Sequence, residues 1–140
     1  MIRLLQRLWS LSVDEVLLFL EVLFLLAFMA FSLRRKPLQG ILRHLPRATS
    51  LKKSLDPYRR KQVVWAVNAA ARRFPVFRNC LVQALAVYVL LTRRRVASVL
   101  LIGSPMNAET FTAHAWVEVG GLPVFGEPAQ HFQVLYSYPP

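Results

Sequence analysis

A cysteine at a helix start, a histidine on a strand and a carboxylate on the neighbouring strand can together transfer an acyl group, and this 140-residue chain offers all three. Its one cysteine, Cys80, follows Asn79, a residue type that caps helix N-termini, and opens an apolar run. A thiol attacks carbonyls as its thiolate, and the partial positive charge at a helix N-terminus favours that form. Taken alone, Cys80 reads equally as a small buried apolar residue and His114 as an ordinary strand histidine. Their meaning depends on what lies opposite His114.

The segment Phe111–Val119 predicts a strand, Gly120-Gly121 a two-residue turn, and Leu122–Glu127 the returning strand, closed by Pro128. With that turn Val119 faces Leu122, every cross-strand pair has residue numbers summing to 241, and His114 faces Glu127. In this register Glu118–Pro123 and His114–Glu127 are non-hydrogen-bonded pairs, so the missing N–H of Pro123 costs nothing. Cβ atoms in such a pair stand about 4.5–5.5 Å apart, within reach for a carboxylate to hold an imidazole's tautomer. Glu118 shares the face of His114 but lies four residues along, roughly 13 Å away at strand rise. The expected site is therefore Cys80 as nucleophile, His114 as base and Glu127 as orienting acid. The Cys80 amide is the default oxyanion donor. Gln83 is a side-chain candidate that reads more readily as a polar residue on the helix surface.

The elements that must position these groups follow an α+β order. Ser12-Val13-Asp14-Glu15 reads as a capping box opening a helix to about Leu33. Asp56-Pro57 starts a second helix through Val63, Val64, Val67, Ala70 and Ala71, stopped at Phe74-Pro75, with Trp65 expected in the core. Cys80 to about Thr92 is a third, whose Ala84, Val87, Leu91 stripe looks inward. Val96–Ile102 is a strand ended by Gly103, and Ser104–Thr110 a polar loop. Four of the five glycines lie beyond residue 102, which agrees with helices first and strands with turns afterwards. Pro37–Ser54 reads as a linker, giving an N-terminal helix and basic linker over 1–54 and a core domain over 55–140.

All eighteen basic residues lie at or before Arg95 with four of the seven acids, so residues 1–95 carry +14 and residues 96–140 carry −3. Such a surface suits nucleic acid, anionic lipid or an acidic protein or peptide. No basic–aromatic interleaving or reading-helix motif is present, which argues against nucleic acid. From Val16 to Leu33 the one charge is Glu21, and a helix that is buried or lies on a membrane surface fits this better than a span. The single cysteine excludes an internal disulfide, and three dispersed histidines give no zinc spacing, so a cytoplasmic setting and no bound cofactor are expected.

The stretches Arg78-Asn79-Cys80-Leu81-Val82-Gln83-Ala84-Leu85, Leu101-Ile102-Gly103, Ala113-His114-Ala115-Trp116-Val117-Glu118 and Gly126-Glu127-Pro128 are ordered as in one family. Over roughly residues 57–135 the chain resembles the lasso-peptide leader peptidases, the transglutaminase-like B proteins of lasso-peptide maturation. The resemblance implies N-terminal helices before a transglutaminase- or papain-like core, with the catalytic cysteine at a helix N-terminus on a small antiparallel sheet. It also implies cleavage of a precursor peptide at its leader–core junction, freeing the core amine for a partner asparagine-synthetase-like cyclase. The chain is too short to add a leader-binding module, so a separate leader-binding protein is expected, as in split members. The family usually carries Asp as third member, whereas Glu127 here is one methylene longer. Two other readings stand beside this one: a transglutaminase-like acyl transferase using an amine as acceptor, and a non-catalytic basic membrane-associated adaptor.

Overall fold

A computed structural model describes residues 2–10, 12–45, 57–94, 96–105, 113–126 and 132–139. Helices come first: α1 (Ile2–Trp9), α2 (Val13–Arg35), α3 (Leu38–Arg43), α4 (Pro57–Arg73), a 3-10 turn at Pro75–Phe77, and α5 (Cys80–Arg93). Strands β1 (Val99–Pro105), β2 (His114–Val119), β3 (Leu122–Phe125) and β4 (Phe132–Tyr138) follow. They form one antiparallel sheet in the order β3-β2-β1-β4, so the class is α+β.

Helix α2 begins with the expected capping box. The Ser12 backbone N–H donates to Glu15 Oε2 at 2.9 Å, and the Glu15 N–H donates to Ser12 Oγ at 3.3 Å. Its 23 residues are long and apolar enough to cross a membrane by length and composition. One face is core: Val22, Leu25, Leu26 and Met29 are buried against α4 and α5. Glu21, the charge within the run, meets Arg93 at 3.3 Å and Arg94 at 3.1 Å at the end of α5.

Helix α4 turns Val63, Ala66, Val67 and Ala70 inward, all fully buried, at the i, i+3, i+4, i+7 spacing of one helix face. Trp65 falls between those positions and is 49% exposed, which corrects its expected place in the core. On α5 the Ala84, Val87, Leu91 stripe is buried, and buried residues continue all round the helix because the sheet covers one side and α2 and α4 the other.

Two further differences have one cause each. Part of the expected linker is α3, whose Ile41 and Leu42, with Leu45 beyond it, are buried; its apolar pattern is too short to show periodicity. Residues 46–54 of that linker lie outside the described residues. Strand β1 runs past Gly103 through Ser104 and Pro105 because β4, unpredicted, pairs with them: Gly103 with Val134, Ser104 with Gln133, Pro105 with Phe132. The sheet also ties back to the helices, as the Tyr138 hydroxyl donates to the Leu45 carbonyl at 3.1 Å and its ring meets Tyr88 edge-on.

Candidate active site

Asn79 caps α5 as expected, its Oδ1 accepting from the Leu81 N–H at 2.9 Å, which places Cys80 at the first helical position. An amide there has no intrahelical acceptor, and the helix dipole is strongest there. Cys80 is a free, half-buried cysteine. Across from it β2 begins at His114, paired with Gly103 of β1. The sheet packs on α5 through the Ala115 and Val117 face of β2, both buried in the core. Since His114 is the first residue of its strand, its ring lies at the end of the sheet, stacked on Trp116 at 6.3 Å and tilted against Phe132 at 5.7 Å.

Cys80 and His114 line one cleft of about 320 Å³, with Val64, Asn68 and Gln83 on the helical side and Pro123 to Gly126 on the other. His114 Nε2 lies 2.8 Å from the Gly126 carbonyl oxygen. A carbonyl only accepts, so Nε2 carries the hydrogen and, in the neutral ring, Nδ1 keeps its lone pair. Gly126 presents that oxygen from a backbone φ of +70°, where a side chain is strained and a Cβ would stand 3.0 Å from the Ala115 oxygen.

The hairpin register needs correction. Val119–Leu122 and Glu118–Pro123 pair as expected around a turn with both glycines at positive φ, but Val117 then pairs with Phe125. Val124 is the extra residue of a bulge, so the rule that every pair sums to 241 ends at Glu118, and with it the derivation of a His114–Glu127 pair. Glu127 itself lies outside the described residues. Glu118 accepts from the Trp116 indole N–H at 3.1 Å.

Gln83 is more than a surface residue. Half-buried on α5, it donates from Nε2 to the Phe77 carbonyl at 2.7 Å and lines the cleft. Two cleft groups escaped sequence reasoning. Asn68 is exposed on α4, outside its inner stripe of Val63, Ala66, Val67 and Ala70, and nothing in the local pattern marks it. The Gly126 carbonyl is backbone and leaves no side-chain signature. Asn68 and Gln83 also border a wider adjoining cleft with Arg72 and Arg78, so the site opens toward a basic side. Among the described residues no three His, Cys, Asp or Glu side chains gather to hold a metal ion.

A helix-borne cysteine sharing a cleft with a strand-borne histidine, on three helices and a small antiparallel sheet, is the layout of a cysteine acyl-transfer fold. Residues 22–137 match the transglutaminase-like superfamily, and the chain belongs to that superfamily. Its members are typically cysteine proteases or acyltransferases. No curated protein and no solved structure matches the chain.

Proposed function

We propose that this chain is a cysteine peptidase that removes the leader from a lasso-type precursor peptide. The observation that carries the reading is the shared cleft of Cys80 and His114, with Nε2 of the histidine already donating to Gly126 so that Nδ1 is the nitrogen left to act as base. His114 Nδ1 takes the thiol proton and the Cys80 sulfur bonds to the scissile carbonyl carbon. The proton then passes to the leaving amine as the C–N bond breaks, which frees the core and leaves the leader as a thioester on Cys80. Water, deprotonated by His114, attacks the thioester, releases the leader carboxylate and restores the thiol. The Cys80 N–H and the second amide hydrogen of Gln83 are the proposed oxyanion donors. Glu127 is the proposed acid that stabilises the imidazolium.

Precursor peptide, a separate leader-binding protein and an asparagine-synthetase-like cyclase are the partners this reading needs. Acyl transfer to an amine would use the same thioester, so product mass decides between them. Incubated with a lasso precursor and its leader-binding protein, the wild-type chain is expected to give free leader and free core. An isopeptide product would select the acyl-transfer reading, and intact precursor would contradict the peptidase reading.

A further inference from the structure

The apolar run of α2 has two faces, and the core uses one of them. On the other, Val13, Leu17, Leu20, Phe24, Phe28 and Phe31 fall within about a quarter of the helix circumference at 3.6 residues per turn. All six are 53–75% exposed. Phe24 and Phe28 stack on each other at 6.2 Å, which gives the stripe a continuous aromatic centre. Glu21 stands at the border of the stripe and is drawn to α5 by Arg93 and Arg94, so the exposed surface between Val16 and Phe31 carries no charge of its own. Helix α1 repeats the pattern in short form, with Ile2, Leu5 and Trp9 exposed at i, i+3, i+7 and Trp9 at 89%.

The charges around this stripe are cationic at its C-terminal end. Arg34 and Arg35 end α2 and Lys36 caps it, all three exposed, with Arg35 lying 4.9 Å over the Phe31 ring, and Arg43 follows on α3. The whole chain carries +11. An apolar helix face with basic residues at its rim complements a bilayer whose headgroups are anionic, because the rings enter the acyl boundary while the cations remain at phosphate level. A second copy of the chain would instead bring two +11 bodies together. A span is disfavoured for a different reason: the opposite face of α2 is packed on α4, whose Arg60, Lys61, Arg72 and Arg73 would be carried toward hydrocarbon.

We infer that α2 docks the protein onto an anionic membrane surface, lying in the interface along its Val13 to Phe31 stripe with the catalytic domain held on the aqueous side. The docking does not rest on the peptidase reading and is tested without substrate. The experiment is flotation of the full chain with vesicles of phosphatidylcholine alone and of phosphatidylcholine mixed with phosphatidylglycerol. Wild type is expected to float with the mixed vesicles and weakly with the neutral ones. The variant Leu20→Ser, Phe24→Ser, Phe28→Ser changes exposed side chains, so its circular dichroism should be unaltered while its partition falls by about a hundredfold or more. Arg34→Gln, Arg35→Gln, Lys36→Gln is expected to lose on the order of a hundredfold on mixed vesicles and little on neutral ones. Wild type that stays in solution, or a serine variant that floats as well as wild type, would overturn the inference. So would a dimer of the wild-type chain that the serine substitutions dissociate with no flotation by either form, since the stripe would then join copies of the chain.

Discussion

His114 Nε2 donates to the Gly126 carbonyl at 2.8 Å, at the end of the β2–β3 hairpin away from its turn, and Gly126 is held at positive φ. This contact sets which ring nitrogen faces the work of a base. Gly126→Ala is expected to strain the backbone by on the order of 1–3 kcal/mol and to push its carbonyl off the ring. Turnover should fall at least about tenfold beyond what the stability loss explains. Comparing thermal midpoint with activity on the precursor checks this, and full activity in a destabilised variant would release His114 from Gly126.

Helix α2 is predicted to contribute to the same cooperative unit as α5. Leu26→Ala removes a fully buried side chain and should cost about 2–5 kcal/mol in urea unfolding. Leu17→Ala, at 58% exposure on the same helix, should cost within about 0.5 kcal/mol. Equal, small effects would mean that α2 is not docked on the domain.

The Glu21 contacts with Arg93 and Arg94 are partly solvated, with side chains 26–53% exposed, so their worth is modest. A double-mutant cycle with Glu21→Gln and Arg94→Gln should show a coupling of about 0.2–1 kcal/mol that shrinks as salt is added. No coupling at low salt would indicate that the pair does not persist in solution.

Much of the site's framework was legible locally. The Ser12 box, the Asn79 cap before Cys80 and the Gly120-Gly121 turn each depend on a few adjacent residues, and each forms as the residue types dictate. What failed was non-local. The bulge at Val124 depends on how the edge strand β3 meets β2 near Gly126, and two correct pairs at the turn carry no information about a slip at the very next residue. Strand β4 pairs with β1, so neither its partner nor the extension of β1 through Ser104 and Pro105 shows in local pattern. Trp65 faces outward because Val63, Ala66, Val67 and Ala70 already complete the inner stripe of α4, and bulk alone is a poor guide to facing.

Glu118 and Glu127 are predicted to separate in kinetics. Glu118 is engaged by the Trp116 indole, so Glu118→Gln should leave turnover within a few-fold of wild type. Glu127→Gln, at the proposed acid, should lower turnover substantially with little loss of stability, because the amide lacks the charge that stabilises imidazolium. The reverse order of effects on the precursor assay would exchange their roles.

Arg72 and Arg78 border the cleft adjoining Cys80, in a stretch of sequence with no acid between Asp56 and Glu109. Their field should favour an anionic reagent at the thiol. The ratio of Cys80 alkylation by iodoacetate to that by iodoacetamide is expected to fall about two- to fivefold in Arg72→Gln, Arg78→Gln at low salt. An unchanged ratio would place the two cations outside the field felt at the sulfur.

The account centres on Cys80 and His114 acting as a pair, and the rate of Cys80 carbamidomethylation near neutral pH tests it most directly. With one cysteine in the chain, intact mass reads that residue alone. Wild type is predicted to label readily with iodoacetamide, and His114→Ala to label at least about tenfold more slowly while keeping its fold, because the thiol has lost the base that takes its proton. Equal rates in the two proteins, or a wild-type cysteine that stays unlabelled while the chain is folded, would contradict the pairing and leave Cys80 a structural residue.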